Sequence, residues 1–236
     1  WTNEEGSRFA PAMVASGVFA GVFDLDYGLS RADLDGKTMG EELVRIGYAG
    51  DQDVGGREVG AYFEAHIEQG PHLEADGRRI GIVQSIVGLG GMVFTFTGQQ
   101  NHAGTTMMAG RKDATTALYA LAHGINEEFP KVAGVRSVWT MGRVLIRPGA
   151  PSIVPGYAEL ELQYRDVDPA VLDKFEAVVH RLVDNINSKD GATIEAKPSR
   201  VRIAPAHMDT GFQEHLSRAA EAHAPGNWAA MPTGAF

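Results

Sequence analysis

Two adjacent carboxylates, Glu4 and Glu5, are the first residues of this chain that could do chemistry. They follow Trp1-Thr2-Asn3 and precede Gly6, a pattern that suits a strand end turning into a loop. Such a loop can aim both carboxylates into one cleft, one onto a metal and one free for proton transfer. The alternative is an acidic first turn ahead of a helix, where acids complement the helix dipole. A second stretch, Tyr62 to Pro71, carries His66. Here Tyr62, Glu64, His66 and Glu68 alternate with Phe63, Ala65 and Ile67, as a half-buried strand requires. A histidine among carboxylates at a strand end could ligate a metal, although a lone histidine is more often structural.

Three more residues stand where chemistry could use them. Gln69 sits just before Gly70-Pro71, as a turn former or a substrate contact. His102 opens a Gly/Thr-rich loop after a strand pattern. Arg165 ends an alternating strand. Its planar fork suits a carboxylate, or it could pair with Asp166 or Asp168. Gly88-Leu89-Gly90-Gly91 lacks the third glycine of a nucleotide-binding loop and no helix pattern follows. It reads as a flexible interdomain link.

Composition narrows the classes. The 236 residues are 44% hydrophobic, enough for a packed core in one or two domains. The formal charge of −9 and the lack of a basic cluster argue against a nucleic-acid partner. With zero Cys, disulfides and thiolate zinc sites are excluded. Any zinc must rest on His and carboxylates, the donor set of catalytic sites. No apolar run has the length of a membrane span, and no signal-peptide pattern is visible.

The elements that must position these residues follow from periodicity. Residues 7–21 read as a small-residue helix, 24–36 as loop and 38–47 as an amphipathic helix. Residues 59–69 form the His66 strand, and 79–87 a further strand after the Asp76-Gly77 turn. Then come a strand (92–98), a helix (113–129), strands (137–146 and 157–165), a helix (170–188) capped by Asp168-Pro169, and a strand (192–197). That order is β-α-β-β-α-β, the ferredoxin-like arrangement. A helix over 210–222 with Thr210 as its cap, then loop over 224–236, completes the reading. The fold class is therefore α/β.

Together these stretches resemble a known family. Asn3-Glu4-Glu5-Gly6-Ser7-Arg8-Phe9, followed by His66-Ile67-Glu68-Gln69-Gly70-Pro71, is similar to the hydantoinase/carbamoylase family of binuclear zinc amidohydrolases. That family includes N-carbamoyl-L-amino acid hydrolases, beta-ureidopropionases and allantoate amidohydrolases. The likeness continues through Gly98 to Met107, Arg111-Lys112-Asp113-Ala114, Val154-Pro155-Gly156 and Arg165-Asp166. It implies a zinc-exopeptidase-like catalytic domain, present in part at 1–87 and 200–236. Residues 88–199 would be an inserted ferredoxin-like lid and dimerisation domain.

The resemblance also implies roles. Glu4 is the general base; Glu5 and His66 are ligands to two divalent metal ions, zinc by preference, with manganese, cobalt or nickel as alternatives. Gln69 and Arg165 bind substrate, Arg165 through its carboxylate, and His102 stabilises the oxyanion from the neighbouring subunit. Glu68 could orient His66. The implied reaction is removal of the carbamoyl group of N-carbamoyl-L-amino acids, with allantoate hydrolysis as runner-up, in a cytoplasmic homodimer. A metal-free binding or dimerisation module is the reading from a different class.

The chain departs from the family in places. Ser152 stands where asparagine is usual in the substrate site, Gln163 where aspartate is usual, and Met107 where proline is usual. The family's first histidine ligand and bridging aspartate would precede Trp1, and its Gly-His-Asp-Ala segment would follow Ala235. The expectation is the middle of a longer enzyme, inactive by itself.

Overall fold

A computed structural model describes residues 1–199 and 202–234. The chain divides into two compact units, Trp1–His66 and Ile67–Phe236.

The first unit is built from short helices. α1 spans Val14–Phe19, α2 Leu25–Leu29 and α3 Met39–Arg45. The helix expected over 7–21 is thus shortened to its second half. Pro11 would break its interior, and Met13 takes a left-handed φ of 61° that no helix interior tolerates. α2 lies inside the stretch expected as loop. α3 is as expected and begins in a capping box: Thr38 accepts from the Glu41 N–H, and the Glu41 carboxylate accepts from the Thr38 N–H. Phe9, Val14 and Met39 form the buried cluster, flanked by Val18 and Leu43.

Residues 57–69 form no strand, which corrects the strand expected over 59–69. Alternation makes a segment strand-compatible, but a strand also needs a neighbour for its ladder. No strand of the first unit is described that could supply one.

The second unit starts with α4, His72–Ala75, whose amides at His72 and Leu73 donate to the Glu68 carboxylate at 2.9 Å each. β1 follows at Ile80–Ile86 and β2 at Gly88–Thr97. β2 takes in the glycines expected to be a flexible link. They are buried and fully laddered, Gly88 opposite Asp166 and Gly91 opposite Gln163. The reason is space: a Cβ on Gly90 would run into the Tyr164 ring across the ladder.

β3 (Asn101–His102), α5 (Ala114–Glu128), β4 (Val138–Arg147), β5 (Ile153–Val154), β6 (Tyr157–Asp166), α6 (Pro169–Asn187) and β7 (Thr193–Pro198) continue the chain. The long elements make a four-stranded antiparallel sheet in the order β4-β6-β2-β7, with α5 and α6 packed on one face. This is the β-α-β-β-α-β order that periodicity gives. Asp113 and Asp168 cap the two helices, each accepting an amide N–H at 2.8 Å. Along β6 the inward residues Ala158, Leu160, Leu162 and Tyr164 are buried, and Glu159, Glu161, Gln163 and Arg165 face away from them. Under the helices an aromatic cluster forms, with Phe129 stacked on Phe175 at 4.2 Å and edge-on to Trp139 and Tyr164.

β8 (Ala206–His207), α7 (Thr210–His223) and β9 (Trp228–Thr233) close the described chain. Asp209 rather than Thr210 caps α7, accepting from the Phe212 N–H. β9 corrects the loop expected over 224–236, of which Ala235 and Phe236 lie outside the described residues. It pairs parallel with β1, while β8 pairs antiparallel on β1's other edge. A strand in such a pairing need not alternate, and Trp228-Ala229-Ala230-Met231-Pro232-Thr233 does not. The four-stranded sheet therefore lies, in sequence, between two strands that are hydrogen-bonded neighbours.

Candidate active site

Glu4 and Glu5 lie on an irregular loop held by hydrogen bonds more than by packing. Asn3, at φ 57°, donates from Nδ2 to the Phe9 carbonyl at 2.6 Å. The Met13 N–H donates to the Glu4 carbonyl at 2.7 Å. Gly6 has φ +71°, and a Cβ there would sit 2.5 Å from the Ala12 nitrogen, so the doubling-back after the two glutamates requires glycine. Glu4 is half-buried and Glu5 exposed.

Arg8 anchors this loop, a role that the motif residues alone do not reveal. Its guanidinium pairs with Asp33 and with Glu42, both at 2.8 Å, and lies 4.9 Å over the Phe9 ring. Glu42 also takes two hydrogen bonds from Arg45. Arg45 first and Arg8 second hold the Glu42 carboxyl at a pKa of about 2, well below its ordinary 4.5.

His66 is exposed on the irregular segment. Four residues before it, Tyr62 stacks on Trp1 with ring centroids 6.3 Å apart and accepts from its indole N–H at 3.1 Å. Trp1 and Tyr62, which open the two stretches, are thus in contact within the first unit.

In the second unit, Gln69 is exposed, with a left-handed φ of +53°. His102 and Ser152 are set side by side by the β3–β5 ribbon. His102 pairs with Ile153, and the Ala103 N–H donates to the Ser152 carbonyl at 2.9 Å. The His102 ring is oriented by its own loop: Nδ1 accepts from the Gly104 N–H at 3.1 Å. With Nδ1 an acceptor, the neutral ring carries its proton on Nε2 and can donate from there. Arg111 closes the loop around it, reaching the Ala103 carbonyl at 2.5 Å and the Thr106 carbonyl at 3.0 Å. The Arg111-Lys112-Asp113 motif was legible in the sequence, but this clamp was not.

Arg165 lies on the outer face of β6. Nε and Nη2 reach the Gln163 Oε1 at 3.3 and 3.1 Å, and Nη1 donates to the Gly234 carbonyl at 2.7 Å. Asp166 points to the other face, where it accepts from the Ser137 hydroxyl and the Asp168 N–H. Asp168 caps α6. The two acids weighed as surface partners of Arg165 therefore have structural work elsewhere.

Glu5 and His66 carry donor atoms that a divalent metal takes, a carboxylate oxygen and an imidazole nitrogen. Among the described residues, however, no three His, Asp or Glu side chains converge on a point that could hold a metal ion. These residues alone do not form a metal site.

No profile of a known protein family matches the chain, but individual relatives do. The chain is 41% identical over 229 residues to an N-carbamoyl-L-amino-acid amidohydrolase of Rhizobium meliloti, covering 94% of this chain and 53% of that protein. It is 32% identical over 228 residues to an allantoate amidohydrolase of Bacillus subtilis, covering 91% and 54%. Its fold superposes with a TM-score of 0.86 and 42% identity on a crystal structure from Burkholderia multivorans, described as an amidase of the hydantoinase/carbamoylase family. That match covers all of this chain and 57% of the other. The chain belongs to the hydantoinase/carbamoylase family of amidases. It spans about half the length of the curated relatives it matches.

Proposed function

We propose that this chain is part of an amidohydrolase that removes the carbamoyl group of N-carbamoyl-L-amino acids. Water adds at the carbamoyl carbon and the bond to the amino-acid nitrogen breaks. The products are the amino acid, ammonia and carbon dioxide. The observation that carries the reading is the second unit's pair of oriented donors, His102 and Arg165. A neutral imidazole with its proton on Nε2 suits an oxyanion, and a guanidinium fixed in plane suits a substrate carboxylate.

The remaining roles complete the reading. Glu4 takes the proton of the attacking water. Gln69 and Ser152 contact the substrate; the serine hydroxyl has less reach than an amide, so substrate choice is set partly there. Glu5 and His66 are two of the donors to a metal centre of two divalent ions, zinc by preference. A catalytic zinc takes about three protein ligands, so the other donors come from outside the described residues. Residues 88–199 are a lid that also dimerises, with catalytic-domain segments on either side at 1–87 and 200–236. The pairing of β1 with β9 across that excursion supports an insertion. β4, one of the two edge strands of the sheet, supports a dimer contact.

A substrate panel on the full-length enzyme, reading out ammonia, tests the reaction. N-carbamoyl-L-amino acids should be turned over in preference to allantoate and to ureidoglycolate. Preference for allantoate would move the assignment to the second relative's activity. Release of no ammonia from any ureido compound would leave a binding or dimerisation module.

A further inference from the structure

One peptide group touches His102 at one end and Arg111 at the other. It joins Ala103 to Gly104. Its N–H donates to the His102 Nδ1 at 3.1 Å, and its carbonyl accepts from Arg111 Nη2 at 2.5 Å. A trans peptide is planar, with N–H and C=O pointing in opposite directions, so holding the oxygen aims the hydrogen. A second donor on the same edge of the guanidinium, Nε, holds the Thr106 carbonyl at 3.0 Å. One rigid fork thus spans the turn that follows His102. The His102 carbonyl closes that turn, accepting from the Thr106 hydroxyl at 2.7 Å and the Thr106 N–H at 3.2 Å. Arg111 is fixed at its base, because the carbonyl of the next residue, Lys112, takes the Gln99 N–H at 2.7 Å just beyond β2. The fit at the ring is close: a Cβ on Gly104 would lie 3.2 Å from the His102 Cε1.

We infer that Arg111 is a positioning residue, which acts through the Ala103–Gly104 peptide to hold the His102 ring in the tautomer that donates from Nε2. This rests on the reading of His102 as the oxyanion donor. The amide has only a proton to offer, so the ring nitrogen facing it presents its lone pair. With the peptide turned over, its oxygen would face Nδ1 and draw the ring proton there, leaving Nε2 nothing to donate. The cation on the carbonyl opposes that reversal and polarises the N–H toward the ring. A lysine at position 111 would keep the charge without the fork, and would hold one carbonyl in place of two.

The test uses the full-length enzyme, an N-carbamoyl amino acid as substrate, and nitrogen-15 NMR of labelled histidines in their neutral form. His102→Ala is measured first. It should lower kcat by about 10²–10³-fold, the usual worth of one oxyanion donor, and its missing signals identify the His102 ring. An unchanged kcat would remove His102 from the reaction and take the inference with it. Given the His102 effect, Arg111→Ala should lower kcat about tenfold with KM within about twofold, because the ring remains but its tautomer and aim are no longer fixed. Arg111→Lys should recover part of the loss. The His102 proton should sit on Nε2 in the parent enzyme and shift toward Nδ1 in Arg111→Ala. In the His102→Ala background, Arg111→Ala should cost nothing further. A merely structural arginine would leave the tautomer unchanged, and its loss would persist in that background. Either of those results, or an unchanged kcat in Arg111→Ala with His102→Ala impaired, would overturn the positioning role and leave the role of His102 standing.

Discussion

The four-stranded sheet and the Trp1–His66 unit hold their candidate site residues by different physics. The sheet has a continuous buried cluster running from Met92 to Ile194, centred on Phe94, Phe129, Tyr164 and Phe175. Of its site residues, Arg165 is on β6, whose inward residues belong to that core, and His102 and Ser152 are on or beside the two-stranded β3–β5 ribbon. The first unit buries only Phe9, Val14 and Met39 as a cluster, and it leaves Val22, Val44 and Tyr48 exposed. Its site residues ride on irregular chain, tied by the Asn3 side chain and by Arg8. Close-packed cores fix geometry through many weak contacts, none of which is indispensable. A loop tied by a few polar bonds depends on each of them.

That contrast predicts where chemistry, packing and pH act. The largest effect is expected at Glu4. Glu4→Gln in the full-length enzyme should lower turnover by about 10²–10⁴-fold, the usual worth of a general base. Thermal stability and bound metal should be unchanged, because the tie at this residue is its backbone carbonyl. Metal analysis beside the kinetics decides it. Metal lost in step with activity would make Glu4 a ligand and would show the loop's carboxylates to be interchangeable.

Next in size is a core truncation. Phe175 is fully buried against Phe129, Trp139 and Tyr164. Phe175→Ala should destabilise by roughly 3–5 kcal/mol, as large aromatic truncations do. Val22→Ala, at an exposed position of the first unit, should stay within about 0.5 kcal/mol. Chemical denaturation measures both. Equal losses would erase the distinction between the two regions.

The smallest effect is the acid response of the first unit. The Glu42 carboxyl is held at a pKa of about 2 by Arg45 and Arg8, against an ordinary 4.5. A depressed folded-state value means the stabilisation is fully present above about 4.5. It fades as pH falls toward about 2, where the folded carboxyl takes up its proton. Glu42→Gln should remove that slope from the stability of residues 1–66 and leave the sheet's acid response as it was. Hydrogen exchange of the two regions between pH 5 and pH 2 reads this directly, and an unchanged slope would assign the acid response to other carboxylates.

Much of the sheet region was legible because its signals are local. The stripe Ala114, Ala117, Leu118, Leu121 and Ile125 makes α5 whatever lies nearby, and Asp113 and Asp168 cap their helices within two residues. The alternation of β6 survives intact, down to which side chains are buried. Three of the failures were non-local. Gly88 to Gly91 looks like a hinge until Tyr164 is known to lie across it. Residues 228–233 look like loop until β1 offers a parallel edge. Residues 59–69 alternate like a strand but have no described neighbour to pair with. In the candidate site, residue types stood in the motifs, while the Arg111 clamp and the Gly104 contact that sets the His102 ring did not, although both are short-range, because they depend on how the loop itself folds.

The sequence by itself determined the α/β class, the β-α-β-β-α-β order, the family and the residue types the chemistry needs. Each of these is written in spacing, capping or contiguous motif. Only the tertiary structure decided how those residues are held. Arg165 meets the carbonyl of Gly234, 69 residues away, and Trp1 meets Tyr62, 61 residues away. A backbone carbonyl is present at every residue, so no residue type marks the one that will serve as acceptor. Only closure of the chain selects it.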